Sequence, residues 1–193
     1  MQRIGFPVGG EPLVALDLAD TVMTVPEPAE DLLAAPDRSA AWWELQSRRL
    51  PQSAPPERAA VRRLRAAVRD LLDAHIEGRA PNPTSVEDVN ATAASVPSSP
   101  RLTFTDGIAS TGTRWHAEYG GNVALAFIAR EVIDLFAAPD RLAKLRRCAN
   151  PDCSMLFLAE TARRQWCASN VCGNRVRVAR HYQKTRAAKT DHR

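Results

Sequence analysis

Apolar residues recur along this chain with two different periods, and the changes of period mark its elements. Leu16 and Leu18 alternate with Asp17 in the stretch 13–22, which predicts a short strand ended by Pro26 and Pro28. Asp31-Leu32-Leu33 predicts one helical turn, and Asp37 an N-cap for a helix through Trp42, Trp43, Leu45 and Arg49. Val61, Leu64, Val68, Leu71, Leu72 and Ile76 then step by three and four, one apolar stripe of a helix from about Pro56 to Glu77. Gly78 sits where a C-terminal cap belongs. Off the stripe, Arg58, Arg62, Arg65 and Arg69 are mixed with Glu57, Asp70, Asp73 and Glu77. That mixture predicts a solvated, salt-bridged surface in preference to a nucleic-acid face.

Thr84-Ser85-Val86-Glu87 has the form of a capping box and predicts a helix to about Ser95, with Val86, Val89 and Ala93 inward. The stretches 101–105 and 113–119 alternate about Asp106-Gly107 and Gly112, a hairpin expected to pack on the body. An alternative is that His116, Trp115 and Tyr119 line a pocket. From Gly120-Gly121-Asn122 a helix runs to Phe136, its charges Arg130, Glu131 and Asp134 confined to a narrow arc, so most of its circumference should be buried. The predicted class is α+β. A helix-rich N-terminal domain with a few short strands, residues 1–140, precedes a smaller unit, residues 141–193.

Composition changes this picture little, and charge changes it much. The 193 residues are 45% hydrophobic and 25% charged, a globular mix. The longest apolar run, Val123 to Ala129, is far shorter than the roughly 18 residues of a spanning helix. Met1-Gln2-Arg3-Ile4-Gly5 has no apolar h-region, so a cytoplasmic protein without a membrane partner is expected. Residues 1–140 hold 13 Lys+Arg against 19 Asp+Glu, whereas residues 141–193 hold 13 against 3. A cationic piece behind an acidic one suggests a polyanion-binding module, with a solvated basic tail as the alternative.

All four cysteines lie in the basic piece, as Cys148-x4-Cys153 and Cys167-x4-Cys172. Two close pairs separated by a modest spacer suit a tetrahedral ion, each tight turn giving two thiolates. Asn150-Pro151-Asp152 forms the first turn, and Ser169-Asn170 are N-cap types that put Cys172 in the first turn of a helix. One structural Zn²⁺ is expected, since reducing conditions disfavour disulfides and four protein ligands leave no position for water. Arg146, Arg147 and Arg175 stand in sequence where they would offset the surplus sulfur charge. Residues 155–158 read as a strand, so the order is knuckle, strand, knuckle, helix, as in a treble-clef finger. On a helical wheel Val178, Ala179, Tyr182 and Arg175 share the side of Cys172, an expected inner face. Arg177, Arg180, His181 and Lys184 take the opposite side, an expected cationic face continued by Arg186.

Arg147-Cys-Ala-Asn-Pro-Asp-Cys153, Leu156-Phe157, Gln165-Trp-Cys167 and Cys172-Gly-Asn-Arg175 closely resemble the CGNR zinc finger, as does the run 177–182. Leu16-Asp-Leu-Ala-Asp-Thr-Val22 is similar to the opening motif of the ABATE domain, behind which that finger usually stands, although the motif usually has Asn at the place of Asp20. The resemblance implies a stress-induced bacterial transcription regulator.

Three functional classes follow. The first is a DNA-binding regulator in which Arg177, Arg180, Lys184 and Arg186 meet phosphates and the body senses a small molecule or forms a homodimer. The second is a zinc-stabilised protein-interaction or ligand-sensing module that does not bind DNA. The third, an enzyme, is not expected: the chain has no phosphate-cradling loop, no Gly-x-Ser-x-Gly and no His-Glu-x-x-His. His75 is expected at a core boundary, and Asp17 and Asp20 in capping or solvated positions.

Overall fold

A computed structural model describes Phe6 and residues 11–25 and 28–190, with residues 184–190 described through their backbone. In chain order the elements are α1 (Val14–Ala19), β1 (Val22–Met23), β2 (Glu30–Asp31), α2 (Pro36–Gln46), α3 (Arg58–Glu77) and α4 (Pro83–Ala94). They continue with β3 (Ser98–Thr105), β4 (Ile108–Trp115), α5 (Val123–Phe136), α6 (Pro139–Leu142), β5 (Leu145–Arg147), β6 (Leu156–Leu158) and α7 (Asn174–Thr190). The strands form three separate antiparallel pairs, β1–β2, β3–β4 and β5–β6. The α+β class is the one expected.

The core is helical. α3 buries Val61, Leu64, Val68, Leu71 and Leu72 against α1, α4 and α5. It stops at Gly78, which adopts φ +66° and donates to the Ala74 and His75 carbonyls. α5 buries most of its circumference, with Asn122 accepting from the Leu125 N–H at its start. Trp42 from α2 is fully buried in the same core, edge-on to Trp43. α2 begins at Pro36 with Ala35 at the N-cap position, so Asp37 lies in the first turn and not at the cap.

The stretch expected to be a strand is α1, a helix buried on every side between α3 and α5. Leu–Asp–Leu reads as alternation because an acid is assumed to face water. Here Asp17 is buried and accepts from Gln46 Nε2 at 3.1 Å and from the Arg49 guanidinium. Asp20, likewise expected to cap or to be solvated, is 2% exposed. The arginine face of α3 also differs from expectation at two positions. Arg65 is buried and holds Asp31 through two hydrogen bonds of 2.7 Å, and Arg69 is nearly enclosed. Val86 faces outward, while Val89 and Ala93 are buried as expected. His75 is exposed, its ring edge-on to Phe136.

The β3–β4 hairpin turns at Asp106-Gly107, with φ of 51° and 78°, the double left-handed turn that Asp-Gly favours. It does not pack on the body, and every residue from Pro100 to Arg114 is exposed. His116 spans its base, joining the Ser99 hydroxyl at 3.0 Å and Glu118 at 3.1 Å, and Tyr119 is exposed, so these side chains enclose no pocket.

Candidate metal centre and the helix it anchors

The second unit is seated on the first through shared apolar packing. Leu145, Leu156 and Leu158 of the β5–β6 pair belong to the main core, with β5 against α3 and β6 against α1. Two carboxylates then fasten the backbone of this pair, and two more hold its Arg147 side chain. Both Asp20 oxygens accept from the Leu156 N–H, at 3.1 and 3.0 Å, and Glu11 accepts from the Leu158 N–H at 2.9 Å. Asp73 receives Arg147 at 2.8 Å, as does Glu77. Around Ser154, next to Cys153, the Arg69 guanidinium donates to the main-chain carbonyl at 2.9 Å, and the Thr24 N–H donates to the hydroxyl at 3.0 Å. Burial pushes the Asp20 carboxyl well above the usual aspartate range, outweighing the opposing pull of Arg69 and the Leu156 N–H.

Beyond this seat lies a second, small core built from Phe157, Ala159, Cys148 and Cys172, with Met155, Trp166, Cys153 and Cys167 around it. The four Sγ atoms lie within 4.8 Å of one another, with Cys153–Cys167 at 3.8 Å and Cys167–Cys172 at 3.6 Å. A tetrahedron with metal–sulfur distances of about 2.3 Å has edges of about 3.8 Å, so the cluster has the size of one zinc site. Its electrostatics point the same way. Hydrogen bonds from Cys153 and Cys167 draw the Cys148 thiol down to about 2. Those same bonds hold Cys153 up to about 12 and raise Cys167 as well. Crowded thiols thus ionise at one another's expense, and a bound dication lets neighbouring thiols ionise together. The first knuckle is closed by the Cys148 N–H on the Met155 carbonyl and the Cys153 N–H on the Asn150 carbonyl. The second runs into a π-helical turn, Ser169–Gly173, whose N-cap position is Ala168 and not Ser169 or Asn170. Gly173 lies beneath Trp166, where a Cβ would meet the indole at 3.2 Å.

Arg164 organises this knuckle, a role that its place in the sequence does not announce. It donates to the carbonyls of Leu158, Trp166 and Cys167 and to Glu11, and lies 4.5 Å over the Phe157 ring. The arginines expected beside the sulfurs are elsewhere. Arg147 is spent on Asp73 and Glu77, and Arg175 is exposed, with no hydrogen bond or ion pair among the described residues.

A scan of family models matches residues 13–139 to ABATE, described as "Putative stress-induced transcription regulator", and residues 144–185 to the CGNR zinc finger. The chain belongs to the ABATE family. No curated protein matches it. With the CGNR match and the sulfur cluster together, this ABATE protein has one structural zinc site, formed by Cys148, Cys153, Cys167 and Cys172.

From that site α7 departs. It carries Arg175, Arg177, Arg180, Lys184, Arg186 and Lys189 and no acidic residue, over a length of about 26 Å. Arg177, Arg180 and His181 are exposed, whereas Lys184 and Arg186 lie on α7 with side chains outside the described residues. The inner face expected for Val178, Ala179 and Tyr182 does not form: all three are exposed, with Tyr182 at 66%. A helix can show an apolar side on a wheel and still have nothing beside it. Elsewhere, the ABATE body has an open cleft of about 580 Å³ between α3, α4 and α5, lined by Arg63, Asp88 and Asn122 among others. No helix among the described residues is long and apolar enough to cross a membrane.

Proposed function

We propose that this protein is a DNA-binding transcription regulator in which the zinc site holds α7 out as a cationic rod against the phosphate backbone, and that it is not an enzyme. The supporting observation is α7 itself, six basic residues with no acid on a helix anchored at one end and exposed at every described position but the half-buried Val176. Such a helix gains nothing from burial in its own chain, and a polyanion supplies what it lacks. Phosphate contacts set position and leave sequence choice to other side chains.

The test is retention of random duplex by the zinc-loaded protein across a salt series. With four to six phosphates neutralised, the log–log slope of affinity against salt should be about −4 to −5. Replacing Arg177 and Arg180 together with Ala should reduce the slope by about 2. Salt-insensitive binding, or none, would reject the reading. In that event the α3–α4–α5 cleft favours a ligand-sensing module, and a melting temperature raised by a small-molecule screen would be its sign.

A further inference from the structure

The β3–β4 hairpin is more regular than its surroundings require. Its register is continuous from Ser98↔Trp115 to Thr105↔Ile108. Its root is held firmly. Arg130 stacks 4.5 Å over the Trp115 ring, donates to the Ser98 hydroxyl and reaches the carbonyls of Ala93 and Val96. Trp115 in turn meets Phe127 edge-on at 6.3 Å. Past this root the two strands pack on each other and not on the body. An isolated two-stranded hairpin is marginal in water unless one face is covered.

The pairing sorts its side chains. Leu102 lies beside Thr111 and Phe104 beside Ala109 on one face, which also carries Pro100. Arg101 beside Gly112 and Arg114 beside Ser99 lie on the other. Leu102 and Phe104 are 61% and 68% exposed, while the exposed Ile108, beside Thr105 at the turn, lies on the face of Arg101 and Arg114.

We infer that the face bearing Leu102 and Phe104 packs against the same face of a second copy of this chain. Three features of the arm select that occupant. The face itself bears no charge, so two copies meet without repulsion, while Arg101 and Arg114 stay in water on the far side. A nucleic acid would need cations on the docking face, and this one has none. Leu102 and Phe104 expose on the order of 250 Å² on this face, and Pro100, Ala109, Thr111 and Thr113, all exposed, extend the same surface toward the ~800 Å² that each partner gives to a standard interface. A two-fold contact uses each of these residues twice, as isologous dimers do. The inference does not depend on DNA binding. If both hold, one dimer presents two α7 rods, which enlarges the small contact of a single finger.

The experiment is sedimentation velocity on the full-length zinc-loaded protein over a concentration series. A reversible dimer is expected, with amide exchange across 98–115 slowing as concentration rises. Phe104→Glu should raise the dimer dissociation constant about 30-fold or more, with zinc content and the melting curve of the monomer unchanged. Arg101→Glu, on the opposite face, should leave the dimer intact. A protein that stays monomeric throughout overturns the inference, as does a dimer indifferent to Phe104→Glu. If Phe104→Glu instead lowered DNA retention without changing the oligomeric state, the arm would be a nucleic-acid contact and the inference would also be wrong.

Discussion

The body and the finger of this chain solve the same folding problem by different means. The body buries Trp42, Leu16, Leu64, Leu72 and Ile128 in one apolar core around α3 and α5. Among the described residues, the finger has Phe157 and Ala159 as its only buried non-cysteine apolar side chains outside that core, and four sulfurs in place of the rest. Apolar packing accumulates over many residues, so it tolerates the loss of any one. An ion gathers the same order of free energy into four bonds, and one lost ligand removes most of it. The two regions should therefore fail differently, and the junction at Asp20 determines whether one failure reaches the other.

Metal removal should have the largest effect. Structural zinc contributes on the order of 10 kcal/mol or more to small modules. A strong chelator, or Cys172→Ser, should unfold the knuckles and free α7, seen as a partial loss of helical circular dichroism and a change in Trp166 emission. The body's melting transition should survive. Complete unfolding on chelation would mean that the ion also supports the body.

Trp42→Ala is the converse. It should destabilise the body by about 3–5 kcal/mol in denaturant titrations. The zinc bound per folded molecule should stay at one.

Asp20 probes the junction. Asp20→Ala leaves the Leu156 N–H without its acceptor and deprives Arg69 of a buried acid, a loss of about 2–4 kcal/mol. Zinc should then leave faster in a chelator competition. The pH dependence has a definite sign. Burial raises the folded-state pKa of Asp20 above its usual 3.8, so as pH rises past that value the unfolded chain releases the proton first. Asp20 therefore lowers stability progressively from there up to its own raised pKa. Asp20→Asn should flatten this part of the stability–pH curve.

The smallest effect belongs to Arg175→Ala. The wheel placed Arg175 on the metal side, which predicts a loss of stability. Its exposure and lack of a described partner predict a change within about 0.5 kcal/mol by thermal denaturation.

These positions also mark what could be read from residues alone. Cys148-x4-Cys153 and Cys167-x4-Cys172, Gly78 after a long amphipathic stripe, and Asp106-Gly107 between alternating runs are local signals. Each fixes its element through the chemistry of a few neighbours. What stayed hidden depends on distant partners. Asp17 is tolerated inside a helix because Arg49 and Gln46 come to it from α2 and the loop after it. Arg65 and Arg69 leave the solvated face because Asp31 and Ser154 meet them. The hairpin and α7 failed for the opposite reason. Their patterns suggest a packed side, but periodicity cannot tell whether a neighbour stands there.

The π turn Ser169–Gly173, which holds Cys172 and leads straight into α7, carries a consequence for azimuth. Each helical residue advances the side-chain direction by about 100°, and the ligand sulfur is only five positions before Arg177. The compass bearing of every cation on α7 is thus indexed to the ion. One residue inserted after Gly173 would keep charge, composition and helix length nearly the same, yet swing Arg177 and Arg180 a quarter of a turn or more away from whatever they face. The spacing after the last cysteine is a setting of angle as much as of distance.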